Sequence, residues 1–243
     1  MRFIRKILVL IEMCIFGLGA ITIGLVIFPI LALFLDETKR RKHYADIIHG
    51  SWKFFIWIMK TTKILNIHID GNLDDIKGKI VVASHPSFID IILLIGQMPD
   101  SLCLAKKELL KNPFMRNIVK SLYIINDIDT NTFTHNATEA LKEGYNIIIF
   151  PTGTRTLPGE EIKIHKGAAQ IAIASGINIV PIKIETDYPF LIKNSSPFNA
   201  GEKPVNYYIK VLPEIVTSNF DIATMGEIKA RNHISEQIKK CIN

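Results

Sequence analysis

The chain has 243 residues, the size of one domain with a short appendage. Hydrophobic residues make up 48% and charged residues 21%, which excludes a disordered or fibrous protein; a mean hydropathy of +0.24 is high for a purely soluble one. Cys14, Cys103 and Cys241 are odd in number and far apart, so neither a disulfide framework nor a cysteine-built zinc site is supported, and free thiols fit a reducing compartment.

From Ile7 to Leu35 the chain is apolar, with Glu12 its one charge. The run is long enough to cross a bilayer core with some tilt, too long for the apolar region of a cleaved signal peptide, and lacks a small-x-small cleavage site. Pro29 removes a helical hydrogen bond and predicts a kink, so the run either spans or enters and bends back. The net charge of +6 is concentrated around it: Arg2, Arg5 and Lys6 precede the run, and Lys39, Arg40, Arg41 and Lys42 follow it. Cations flanking an apolar helix suit anionic headgroups; no nucleic-acid-binding motif accompanies them, so nucleic acid is not an expected partner. Trp52–Leu65 mixes two Trp and two Phe with three Lys, a composition for the membrane interface, although a core helix with a lysine edge reads the same way. These residues set an expected division into membrane-associated helices over 1–65 and a catalytic α/β domain over 66–243.

In that second part the pattern alternates. Short β-branched runs at Lys79–Ser84, Leu102–Ala105, Leu122–Ile125, Asn146–Phe150, Asn178–Ile184 and Tyr207–Leu212 read as strands. Helices are expected at Ile89–Gly96, at Lys106–Lys120 with a break at Asn112-Pro113, at Thr132–Lys142 ended by Gly144, at Lys166–Ser175 ended by Gly176, and at Met225–Cys241. Strands alternating with helices imply a single α/β domain with a largely parallel central sheet covered by helices, preceded by N-terminal membrane helices.

Two constellations carry chemistry. The first is His85-Pro86-Ser87-Phe88-Ile89-Asp90, just beyond a strand. Pro86 keeps His85 out of helical geometry. Asp90 falls in the first turn of the next helix, where the dipole favours a carboxylate and one imidazole nitrogen can donate to it. The other nitrogen is then left basic, as a general base requires. The second is Phe150-Pro151-Thr152-Gly153-Thr154-Arg155, which follows another strand. Ligands of open α/β sheets bind at this edge; Gly153 permits close backbone approach, the hydroxyls can donate, and Arg155 offers a fork to phosphate. The other six histidines show no ligand spacing, so no metal site is expected.

Together these blocks resemble the glycerolipid acyltransferases typified by lysophosphatidic acid acyltransferase, over roughly residues 80–185. Val180-Pro181 is similar to the family's fourth block, and Lys166-Gly167-Ala168 follows the turn. The resemblance implies transfer of a fatty acyl group from a thioester, acyl-coenzyme A or acyl carrier protein, to the hydroxyl of a lysophospholipid. It implies His85 as the base with Asp90 orienting it, and Lys106 and Arg155 on the acceptor's phosphate beside Thr152, Gly153 and Thr154. No cofactor beyond the acyl co-substrate is implied, and the place of work would be the cytoplasmic face of the cell membrane, among membrane lipids. Two departures bear on the acceptor. Thr152 stands where the family usually has Glu, and Tyr123-Ile124-Ile125-Asn126-Asp127 lacks the arginine that usually ends the second block. Lys111–Arg116 is similar to a bacterial subgroup associated with aryl-polyene or polyketide lipids. Rival readings are therefore the same chemistry on another lysolipid or a polyketide-type hydroxyl, and a lipid-binding protein without catalysis.

Overall fold

The computed structural model describes residues 2–105, 107–111, 116–125, 130–156, 160, 162–193 and 201–243. The chain opens with helix α1 (Arg2–Thr22), a widened π turn (Ile23–Ile27), α2 (Phe28–Phe34) and α3 (Glu37–Thr61). Then come β1 (Leu65–Asp70), β2 (Ile80–Ala83), α4 (Asp90–Gln97), β3 (Ser101–Ala105), α5 (Arg116–Leu122), β4 (Tyr123–Ile125) and α6 (Thr130–Lys142). The chain closes with β5 (Asn146–Ile149), α7 (Gly167–Ser175), β6 (Ile179–Thr186), β7 (Val205–Val211), α8 (Ile222–Met225) and α9 (Glu227–Ile242). The strands form one sheet in the order β1-β7-β6-β2-β5-β3-β4, with β6 and β7 antiparallel and the other neighbours parallel.

This order makes a crevice. From β2 the chain passes over β5 to reach β3; from β5 it passes over β2 to reach β6. Right-handed crossovers in opposite directions put their helices on opposite faces. Accordingly α4 packs with α3 on one side, while α7 packs with α6 and α9 on the other. The carboxyl ends of β2 and β5 are therefore adjacent strand ends with the covering helices diverging from them, the usual ligand position in such sheets. Their register is locked by Asn146, which is buried, donates to the Ile76 carbonyl at 2.7 Å and accepts from the Lys79 amide at 3.1 Å. Both strands are buried along their whole length, which explains their continuous rather than alternating apolar sequence. Gly96 lets α4 approach the backbone of α3: a Cβ there would lie 3.2 Å from the Lys53 nitrogen and 3.3 Å from the Trp52 carbonyl carbon.

The N-terminal helices do not stand apart from this body. Phe3–Phe34 is long and apolar enough to cross a membrane, by length and composition, yet its inner side is bound throughout. The Arg5 guanidinium donates to the carbonyls of Lys63, Ile64, Gly201 and Lys203. Thr62 donates to the buried Glu12 carboxylate, Asn117 to the Gly24 carbonyl at 2.7 Å, and Tyr44 to the Phe28 carbonyl at 2.6 Å with the two rings stacked. The outer side carries Phe3, Ile11, Leu18, Val26, Leu33 and Phe34 in the open.

At Pro29 the α-helix is interrupted by the π turn before it, and Pro29 sits in the first turn of α2, where its missing N–H is not needed. Three other sequence expectations need correction. Trp52–Leu65 is not one interfacial segment. Its helical part ends at Thr61, and Trp52, Phe55, Ile56 and Met59 face the core while Phe54 and Trp57 face out. Leu65 opens β1, an edge strand that the sequence reading did not include. The Lys106–Lys120 segment is in two pieces, as a break at Asn112-Pro113 implies, but the first piece is a short 3-10 turn at Lys107–Lys111 and only the second, α5, is an α-helix, with Lys106 and residues 112–115 outside the described residues.

Candidate active site

His85 lies two residues beyond β2, and Asp90 is the first residue of α4. The five-residue separation is closed by a turn of the capping-box kind, Ser87-x-x-Asp90. The Ser87 amide donates to Asp90 Oδ2 at 2.7 Å, and Ser87 Oγ accepts from the Ile89 amide at 3.3 Å. The same Oδ2 accepts from His85 Nδ1 at 2.9 Å. A carboxylate only accepts, so Nδ1 carries the imidazole proton and Nε2 presents its lone pair. The His85 side chain is 18% exposed and Asp90 is fully buried. Asp90 Oδ1 is buried and has no hydrogen-bond partner among the described residues. Burial raises the Asp90 pKa, opposed by its bonds to His85 and Ser87 and by the nearby charge of Arg155.

The second block meets the first because β2 and β5 are neighbours. Val82 pairs with Ile149, so the residues that follow each strand share one edge. The rings of His85 and Phe150 stack with centroids 4.2 Å apart. The Thr156 amide donates to the His85 carbonyl at 2.9 Å. Between them the turn is closed by Gly153 N–H on the Phe150 carbonyl at 2.9 Å, with Gly153 at φ +64°, a conformation that favours glycine. Thr152 Oγ1 donates to the Thr154 carbonyl at 2.7 Å, Thr152 is half-buried and Thr154 is exposed. Arg155 is half-buried and donates through Nη1 to the Leu191 carbonyl at 2.9 Å. That carbonyl also accepts from the Phe88 amide at 3.1 Å, so Leu191, at φ +50°, joins both loops. His165 is exposed and contributes its backbone amide, which donates to the Pro151 carbonyl.

The structure thus brings His85, Asp90, Thr152, Gly153, Thr154 and Arg155 to one edge. Lys106, and Asn126 and Asp127 of the second block, lie outside the described residues. Two contributors escaped the sequence reading. Ser87 is legible in the Ser-x-x-Asp spacing, but that spacing alone does not give its role; its side chain is fully buried and its oxygen is engaged. The Leu191 carbonyl is a backbone group and leaves no mark in side-chain identity.

Residues 64–185 match the acyltransferase family profile, by its description "Acyltransferase". The chain belongs to the acyltransferase family. It is 31% identical over 170 residues to a 1-acyl-sn-glycerol-3-phosphate acyltransferase of Helicobacter pylori, covering 67% of this chain and 69% of that protein. It is 29% identical over 167 residues to the protein of that name from Borreliella burgdorferi, covering 66% of this chain and 63% of the relative, so the chain spans less than two thirds of that relative's length. Its fold is that of the crystal structure of the 1-acyl-sn-glycerophosphate acyltransferase of Thermotoga maritima, with a TM-score of 0.67 over 99% of this chain and 97% of that one, at 23% identity. Both blocks fall within the matched family region.

Proposed function

We propose that this acyltransferase moves a fatty acyl group from a thioester, acyl-coenzyme A or acyl carrier protein, to the free hydroxyl of a lysophospholipid, with lysophosphatidic acid the first acceptor to test. The observation that carries the proposal is the His85–Asp90 pair at the β2/β5 crevice, with Nδ1 bonded to Asp90, the His85 side chain 18% exposed and Arg155 beside it. His85 Nε2 takes the acceptor's hydroxyl proton while that oxygen attacks the thioester carbonyl carbon. The carbonyl π pair moves onto oxygen, an oxyanion that needs hydrogen-bond donors at the crevice. Collapse breaks the C–S bond, and the imidazolium returns its proton to the leaving thiolate. The C–O bond formed is the ester product. Asp90 holds the imidazole in the tautomer this needs and stabilises the imidazolium. Arg155 has one nitrogen on Leu191 and further N–H groups for the acceptor's phosphate; Lys106 is proposed to act with it, as the family resemblance implies. No acyl-enzyme on Ser87 is invoked, since its hydroxyl is buried and bonded.

Membrane association belongs to the same proposal. Because α1 and the π turn after it are bound along their inner side at Arg5, Glu12 and Gly24, their apolar outer side is best satisfied by lying in one leaflet rather than crossing the bilayer. The exposed Phe54 and Trp57, with lysines alongside, suit the interface. Phe16 of α1 touches Phe88 of the His85 loop, ring centroids 6.0 Å apart, so the membrane side adjoins the crevice. Thioester donors occur in the cytoplasm, which places the work on that face. The division into 1–65 as membrane helices and 66–243 as catalytic domain is kept as the working division.

Thr152 favours a second reading in which the acceptor is not phosphatidic: its neutral hydroxyl is spent on the Thr154 carbonyl, where a carboxylate would accept from a glycerol hydroxyl. One experiment covers both. Purified full-length protein in micelles is given palmitoyl-coenzyme A or palmitoyl acyl carrier protein with lysophosphatidic acid, lysophosphatidylcholine or a long-chain alcohol, and ester product is measured. Preference for lysophosphatidic acid supports the first reading, preference for an uncharged acceptor the second, and no ester from any pair removes the catalytic proposal. Release of the protein from membranes by alkaline carbonate would remove the insertion.

A further inference from the structure

Tyr207 stands on β7, beyond the matched family region, and β6 separates β7 from β2. Its side chain is fully buried, pointing to the same side as Val205 and Ile209. A phenylalanine would fill that space as well, and burying a hydroxyl without a partner costs free energy. Its partner is Ser87: the Tyr207 hydroxyl donates to Ser87 Oγ at 2.8 Å. Ser87 Oγ also accepts from the Ile89 amide, and the Ser87 amide donates to the Asp90 oxygen that receives His85 Nδ1. A continuous chain of bonds therefore runs from the strand to the imidazole. Desolvation holds the phenol well above its ordinary pKa, and the Asp90 charge pushes it the same way, so the group is a donor at every working pH. The Ser87 hydroxyl keeps one proton to give, and Asp90 Oδ1, on the same short turn, is a buried acceptor without a partner among the described residues.

We propose that Tyr207 is a positioning residue for His85: through Ser87 it fixes the loop that holds Asp90 Oδ2, and with it the imidazole orientation and tautomer. Its catalytic consequence rests on the reading of His85 as base, but the positioning itself does not. Two unrelated strands are tied at the site, so the loop cannot relax without exposing or orphaning the phenol. The bond is neutral, and its loss is expected to lower turnover by about three- to tenfold with the Michaelis constants of both substrates unchanged, because Tyr207 touches neither.

The experiment uses full-length protein in micelles with nitrogen-15-labelled histidine. The downfield Nδ1–H resonance of His85 is assigned by its absence in His85→Ala. Tyr207→Phe and Ser87→Ala are each expected to move it upfield or broaden it by exchange. Tyr208→Phe, an exposed neighbour on the same strand, is expected to leave it in place. With palmitoyl-coenzyme A and lysophosphatidic acid, Tyr207→Phe should lower kcat alone, and in an Asp90→Asn background it should add nothing further. Should Tyr207→Phe fail to fold, Ser87→Ala reads the same link. An unchanged His85 resonance in folded Tyr207→Phe or Ser87→Ala protein would overturn the inference while the proposed function stands. A moved resonance with full turnover in His85→Ala would do the reverse, keeping the positioning chain and removing the base.

Discussion

Two loops at the same sheet edge are built in opposite ways. The His85–Asp90 loop is turned inward: Ser87, Ile89 and Asp90 are fully buried, and His85 Nδ1, Ser87 and Asp90 Oδ2 are bonded to one another and to Tyr207. The Phe150–Arg155 turn faces outward, and beyond its stacking on His85 it is held mainly by backbone groups and by Arg155 on Leu191. The first geometry leaves a single arrangement for the imidazole. The second leaves Thr154 exposed and Arg155 half-buried at the edge of the crevice. On the proposed roles of the two loops, a fixed base beside an adaptable acceptor contact is the division expected when one chemistry serves different acceptors. The difference is testable, because changes in the first loop should act on turnover and changes in the second on acceptor choice.

The largest effect belongs to the inward loop. His85→Ala should lower turnover by about 10²- to 10⁴-fold, measured as ester formation by folded protein; near-normal turnover would remove the mechanism. Asp90→Asn separates activity from stability. Burial raises the Asp90 pKa in the folded state above its unfolded value. This group therefore favours folding below the unfolded pKa of about 4, and that contribution is lost as pH rises through the folded pKa. The asparagine variant should lose turnover yet have an equal or higher Tm at neutral pH, and the gain should shrink on acidification. A lower Tm at neutral pH would mean that the attraction of carboxylate and imidazole outweighs desolvation.

The sequence disclosed the inward loop well because its contacts are local. His85, Ser87 and Asp90 lie within six residues, and Pro86 fixes the turn between them. The strands β2, β5 and β6 were legible as buried runs, and Gly144 and Gly176 do end their helices with positive φ. What stayed hidden is non-local or backbone. Tyr207 is 120 residues from Ser87, and a tyrosine in a strand reads as ordinary core. Leu191 acts through its carbonyl. The β1 strand was missed because an edge strand needs only one apolar side, and here Leu65 is its one fully buried residue. The inner side of α1 was hidden for another reason: hydropathy reports the apolar run but not Arg5, which reaches four carbonyls of the body.

The outward turn carries the middle-sized effect. A charge-assisted bond is worth about 1.5–3 kcal/mol, so Arg155→Ala should weaken use of a phosphate-bearing acceptor by roughly tenfold to 150-fold. The KM of the thioester should change little, because the proposed partner of Arg155 is the acceptor's phosphate and not the phosphates carried by the donor. An equal loss on both substrates would show that Arg155 works through Asp90 or Leu191 instead, which its proximity to both allows.

The smallest effect is the most informative about the acceptor. Thr152 has spent its hydroxyl proton on the Thr154 carbonyl, so it holds the turn more than it reaches outward. Thr152→Glu removes that bond and places a carboxylate beside Arg155, where it can accept from a glycerol hydroxyl and also compete for the guanidinium. On a lysophosphatidic acid enzyme these consequences oppose each other, and turnover should move only severalfold in either direction. On an enzyme for an uncharged acceptor the added carboxylate changes the polarity of the contact itself, and preference should shift toward lysophosphatidic acid. Competition between lysophosphatidic acid and a long-chain alcohol, run on wild type, Thr152→Glu and Arg155→Ala, reads the ratio of the two esters directly. An unshifted ratio in both variants would show that the outward turn does not contact the acceptor, and that specificity must be sought elsewhere along the crevice.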